Sequence, residues 1–127
     1  MESMANTLAY TASAIVALWG IAHAIPTRQV LSGFDPITKD SRRVLLQEWL
    51  AEAFAMWGFA AVVIAVTVVG GTGSPTTDWV YRIVAGALVA LGVLTALTGA
   101  RTPVIWFKIC PVVMVASAAL LVAASLM

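Results

Sequence analysis

Four long apolar stretches, Leu8 to Pro26, Leu45 to Val69, Trp79 to Ala100 and Val104 to Leu126, constrain the fold of this chain more than any other feature. At about 1.5 Å of rise per helical residue, each can cross the roughly 30 Å hydrocarbon core of a bilayer. No water is available there to satisfy backbone N–H and C=O groups, so a spanning segment is either a helix or one strand of a closed barrel. The alternating short segments that a barrel needs are not seen. The expected fold is therefore all-α, a four-helix transmembrane bundle. The stretches occupy most of the 127 residues, so residues 1–127 read as a single integral membrane domain. Composition agrees: 61% hydrophobic residues, 10% charged residues and a mean hydropathy of +0.98 lie outside the range of soluble domains.

Glu2 is the only charged side chain ahead of Arg28, so the basic start of a cleaved signal peptide is missing and the first stretch reads as a permanent helix. The Met-Glu start and the single cysteine, Cys110, give no lipidation motif. Orientation follows from charge. The first connection, Thr27 to Arg43, carries Arg28, Lys39, Arg42 and Arg43, and the third, Arg101 to Pro103, carries Arg101 with Lys108 close behind. The second connection, Gly70 to Asp78, has no Lys or Arg, and neither has either tail. The positive-inside rule then predicts a multi-pass protein of the cytoplasmic membrane with connections one and three inside and both termini outside. Arg82 is the exception and is expected to pair with Asp78, one turn away. In the first connection Asp40 or Ser41 is expected to cap a helix starting near Arg42. Val30, Leu31, Phe34 and Ile37 should lie against the bundle or the lipid surface, in a basic loop suited to anionic lipid.

Where lipid offers no hydrophobic drive, helices associate through small residues that let backbones approach. Ala9, Ser13, Ala17, Gly20 and Ala24 form such a stripe on the first span, Gly92, Ala96 and Ala100 on the third, and Ala116, Ala119 and Ala123 on the fourth. These read as packing seams, with a dimer face as a further use.

The polar residues of the spans gather at the basic end. Glu48 and Glu52 are four apart and share a helix face, with Trp49 beside them. His23 lies about a turn from the end of the first helix, over Trp19. Lys108 and Trp106 open the fourth helix, Arg101 precedes it, and Pro111 should bend it and free the carbonyl of Phe107. A pocket of Trp19, His23, Glu48, Trp49, Glu52, Arg101, Trp106 and Lys108 is the expected ligand site, with Glu48, Glu52 and His23 as the candidates for any acid–base chemistry. Interfacial residues have a simpler use: Lys snorkels, Trp prefers the interface, and the glutamates can answer Arg42, Arg43 or Arg101. Against that, apolar neighbours surround the glutamates, and two carboxylates at this spacing repel each other unless something neutralises one.

Counting removes several chemistries. A lone Cys110 cannot form a thiol–disulfide relay, one histidine cannot ligate haem twice, and a di-iron carboxylate bundle needs about four carboxylates and two histidines. His23, Glu48 and Glu52 match a facial metal triad in type, but a hydrogen-bonded helix-end histidine is the commoner use of such a residue, so no metal is expected. The Gly-Gly-Thr-Gly of the second connection lacks the Gly-Lys-Ser/Thr ending of a phosphate loop. Nucleic acid is excluded as a partner by a net charge of +1.

The stretches Gly-Ile-Ala-His-Ala-Ile-Pro-Thr (Gly20 to Thr27), Gln-Glu-Trp-Leu-Ala-Glu (Gln47 to Glu52) and Ala-Arg-Thr-Pro-Val-Ile-Trp-Phe-Lys-Ile-Cys-Pro (Ala100 to Pro111) resemble a family of small four-span bacterial membrane proteins, similar in size and layout to the broad DoxX-like group. The resemblance implies a fold and no catalytic residue or cofactor. The function expected first is an accessory or lipophilic-ligand-binding unit working through the pocket in the cytoplasmic leaflet, with the lipid bilayer as surroundings and a lipid or quinone as ligand. An enzyme acting on a lipid or isoprenoid is the second, with Glu48 or Glu52 as general acid/base and Trp19, Trp49 or Trp106 facing a cationic intermediate. A structural subunit of a homo-oligomer or larger membrane complex is the third.

Overall fold

Each apolar stretch is built around one long helix in the computed structural model, which describes all of residues 1–127. The chain forms α1 (Glu2–Ala24), α2 (Thr27–Ser32), α3 (Lys39–Gly70), α4 (Pro75–Leu97) and α5 (Ile105–Ala124), with a 3-10 turn at Gly99–Arg101 and no strand. Four of the helices are long and apolar enough to cross a membrane. The protein is a small multi-pass integral membrane protein with an all-α four-helix bundle.

Helix ends depart from the sequence expectation where polar residues extend an apolar core. α1 starts at Glu2 rather than Leu8, and α3 starts at Lys39 rather than Leu45. With 32 residues α3 is about 48 Å long, more than a bilayer core requires, so its first turns project beyond the hydrocarbon. Its N-cap is Thr38, not Asp40 or Ser41: Thr38 holds an extended backbone and its hydroxyl accepts from the Ser41 N–H at 3.1 Å. Asp40 instead lies in the first turn, where a carboxylate favours the positive end of the helix dipole. α4 opens the same way, with Ser74 accepting from the Thr77 N–H at 3.2 Å and Pro75 at the first helical position. The turn between α3 and α4 needs left-handed backbone, which Gly71 (φ +70°) and Gly73 (φ +81°) supply.

α1 lies between α3 and α5, and α4 packs along α5 and more lightly on α3. Every long helix buries residues three and four apart: Ala5, Ala9, Ala12 and Val16 on α1; Ala53, Met56, Ala60, Val63 and Thr67 on α3; Tyr81, Val84, Leu88 and Gly92 on α4; Cys110, Met114, Ser117, Leu121 and Ala124 on α5. This spacing suits helices crossing at about 20°. Of the expected small-residue stripes, Ala9, Ser13, Gly20 and Gly92 are buried, whereas Ala96, Ala116 and Ala119 face outward. On α5 the inward stripe is set by Met114, Ser117 and Leu121, a quarter-turn or more from the alanines.

Hydroxyl groups tie α3 to α4 at the end opposite the basic connections. Thr67 donates to the Val63 carbonyl at 2.6 Å, so the buried Tyr81 hydroxyl, 2.6 Å away, is the donor to Thr67. Thr77 reaches the Val66 carbonyl at 3.4 Å. Arg82 does not pair with Asp78. Its guanidinium donates to the hydroxyl and carbonyl of Ser125 at 3.1 and 3.0 Å, covering the C-terminal end of α5, where carbonyls lack helical partners.

The first connection folds onto the bundle through α2, which packs on α3 with Leu31 buried, while Phe34 stays exposed. Arg42 pairs with Asp35, and Arg43 with Asp40 at 3.3 Å. These two arginines are thereby engaged within the loop and do not answer the glutamates.

Candidate functional site

The ends of all four long helices at the basic end surround a cavity of about 680 Å³. α3 and α4 are tied by hydroxyls only at the far end, and here the cavity separates Glu48, Ala51 and Glu52 of α3 from Leu91 and Leu94 of α4 and from Thr98 just past it. A smaller hollow of about 210 Å³ under Leu31 and Phe34 adjoins it, sharing Glu48, Trp49, Glu52 and Phe107. Most of the large cavity's lining is hydrophobic. Leu94, Ile25 and Trp106 are among its exposed lining residues and form part of its mouth.

Its most ordered wall is a clamp between α1 and α3. The His23 and Trp49 rings stack with centroids 3.9 Å apart and planes 19° from parallel. Each residue also bonds the other's backbone: His23 Nε2 donates to the Trp49 carbonyl at 3.0 Å, and Trp49 Nε1 donates to the His23 carbonyl at 3.1 Å. A carbonyl only accepts, so Nε2 carries the hydrogen. His23 occupies the last turn of α1, where carbonyls lack helical partners, and this explains how the indole finds one there. Glu52 Oε2 lies 3.6 Å from the same Nε2, within ion-pair range when the ring is protonated. Phe107 meets the Trp49 ring edge-on at 5.8 Å and carries the aromatic wall across to α5.

Six of the eight expected ligand-site residues line the cavity: Trp19, His23, Glu48, Trp49, Glu52 and Trp106. Arg101 and Lys108 do not. Both are exposed, Arg101 on the 3-10 turn and Lys108 on the outer side of α5. The reason is helical phase: Trp106, Phe107 and Cys110 share the inward face, whereas Lys108 is two residues from Cys110, about 200° around the helix. Among the acid–base candidates, Glu52 and His23 are partly buried and adjacent, while Glu48 is exposed at the rim. No group of three His, Cys, Asp or Glu side chains comes close enough to hold a metal ion.

Sequence reasoning passed over Leu91 and Thr95 of α4, Thr98 just past its end, and Phe107 and Cys110 of α5. The signal available at this end of α4 was two threonines three residues apart in an apolar run, a spacing that puts them on a common face; their hydroxyls bond back to the carbonyls of Leu91 and Leu94 at 2.9 and 2.7 Å. At the deep wall, the Cys110 sulfur lies 4.0 Å from the Thr95 hydroxyl. The Trp19 indole, also part of the lining, has its N–H buried beside the Cys110 thiol. Compared with protein-family models, curated proteins and solved structures, the chain matches none.

Proposed function

We propose that this membrane protein binds a lipophilic molecule in the cavity at its basic end, which the distribution of Lys and Arg would place in the cytoplasmic leaflet of the cell membrane with both termini outside. The observation that carries this reading is the cavity itself: about 680 Å³, bounded by all four spanning helices and mostly apolar, with a few polar groups converging on it. Sites for small molecules have this size and make-up, an apolar body to take up area and a few polar groups to fix orientation. The exposed apolar side chains at the mouth suit passage of a hydrocarbon tail to the surrounding lipid.

Purification from native membrane in mild detergent, followed by mass spectrometry of co-purified small molecules, tests the reading. One lipid or quinone class enriched over the bulk membrane, and depleted in a cavity-filling Thr95→Trp variant, is the expected result. Lipids in bulk proportions from both proteins would overturn it. An acid–base role on a lipid or isoprenoid would fall to Glu52, because its carboxylate both borders the cavity and lies 3.6 Å from an imidazole.

A further inference from the structure

We infer that the cavity selects a lipophilic cation, an amphiphile with an ammonium-type head, over neutral or anionic lipids of similar size; this rests on the ligand-binding reading above. The charge inventory comes first. Glu48 and Glu52 line the cavity and no Lys or Arg does. In the first connection Arg42 pairs with Asp35 and Arg43 with Asp40, while Arg28 and Lys39 are exposed and outside the lining. Lys108 and Arg101 are exposed and outside the lining, and Arg82 is bound to Ser125 at the end of α5. His23 is the one lining group able to become positive, and even when charged it offsets a single carboxylate, at 3.6 Å from Glu52. The cavity walls therefore carry two carboxylates against one group able to become positive, an excess that favours a cationic head over an anionic one.

The second observation is the aromatic content of the same walls. Trp19, Trp49, Trp106 and Phe107, from three helices, border one space. Indole and phenyl faces carry negative potential and hold organic cations, quaternary ammonium groups in particular, where strongly hydrated inorganic ions would lose more solvation than they regain. Glu48 at the rim, Glu52 further in beside Trp49, and aromatic rings from the inner wall to the apolar mouth are complementary to a bulky cation carrying hydrocarbon. Selection by charge and selection by apolar volume make separable predictions, because probes exist with the same shape and opposite charge.

The experiment is equilibrium dialysis of the purified full chain in dodecylmaltoside against tetraphenylphosphonium, tetraphenylborate and a neutral short-chain ubiquinone analogue, each corrected with a detergent-only blank. Saturable binding of the phosphonium at least tenfold tighter than that of the borate is expected. Glu52→Gln should weaken phosphonium binding tenfold or more, and Glu48→Gln, an exposed position whose change leaves the His23 pair intact, should weaken it severalfold, with little effect of either on the quinone. If the quinone binds as tightly as the phosphonium and neither glutamine variant alters either probe, the cation inference is overturned and the lipophilic-ligand reading stands. If none of the three probes binds saturably, both fall. Should Glu52→Gln fail to fold, the phosphonium-to-borate ratio of the unaltered protein and the Glu48→Gln titration still decide between these results.

Discussion

Replacing Gly20 with alanine should separate α1 from α3. A Cβ at this position would lie 2.7 Å from Nε1 and 2.9 Å from Cδ1 of Trp57, and 3.3 Å from the Ala53 carbonyl oxygen. The indole can swing toward lipid, but doing so gives up its hydrogen bond to the Ala17 carbonyl at 3.2 Å, a loss of about 0.5 to 1.5 kcal/mol. The Ala53 oxygen belongs to the α3 backbone, so relief there means moving a helix, and overpacking of this kind costs about 1 to 3 kcal/mol. Alanine returns about 1 kcal/mol through its better helix propensity. The net expectation is a destabilisation of about 2 kcal/mol. Two glycines give the control, because a Cβ at Gly58 on α3 or Gly86 on α4 meets nothing within 4 Å. Gly58→Ala and Gly86→Ala should be neutral or gain up to about 1 kcal/mol. Unfolding in dodecylmaltoside micelles titrated with sodium dodecyl sulfate, followed by circular dichroism, measures all three. Gly20→Ala as stable as the two controls would refute the close approach of α1 to α3 at this level, and with it the position of Trp57.

Other consequences are open to the same assay. His23→Ala and Glu52→Gln should couple by about 0.5 to 3 kcal/mol in a double-mutant cycle, whereas Lys108→Met and Glu52→Gln should add within about 0.5 kcal/mol; the opposite ranking would put Lys108 in the site. Tyr81→Phe should cost about 1 kcal/mol by removing the donor to Thr67, and no loss at all would mean the two hydroxyls are not bonded. For orientation, a single cysteine at Thr76 or at Ser32, each in a Cys110→Ala background, should react with an impermeant maleimide on intact cells only at Thr76. Thr76 is exposed and leaves the Ser74 cap in place. Labelling at Ser32 alone would invert the proposed topology.

The number and class of the helices were legible because the bilayer leaves a chain few alternatives. Which face of each helix turns inward was much less so. In soluble bundles a polar side marks the outside, but here Val68, Ile83, Val93 and Val112 are as apolar as the core and are exposed. Hydropathy therefore carried little phase information, and small residues were the remaining guide. They served on α1, where Ala9, Ser13 and Gly20 are buried, and misled on α5, where Ala116 and Ala119 face outward. A small side chain permits close approach without requiring it. The start of α3 was hidden for another reason: Lys39 to Arg43 is too polar for a span, yet helix continues through it from the Thr38 cap.

The site follows the same division between depth and direction. Depth can be read from the number of residues to a helix end, and it gathered His23, Glu48, Glu52, Arg101 and Lys108 at one level. Direction depends on phase, which advances about 100° per residue, so a polar residue one or two positions from an inward-facing neighbour can be turned to the opposite side. Trp106 is four residues before Cys110 and borders the cavity; Lys108 is two before it and does not. The consequence reaches the chemistry. With Lys108 inside, one of the two glutamates would have had an internal counter-ion besides His23. With it outside, Glu52 has only His23 within ion-pair range, and the balance of charge in the cavity is left to that imidazole and to whatever binds beside it.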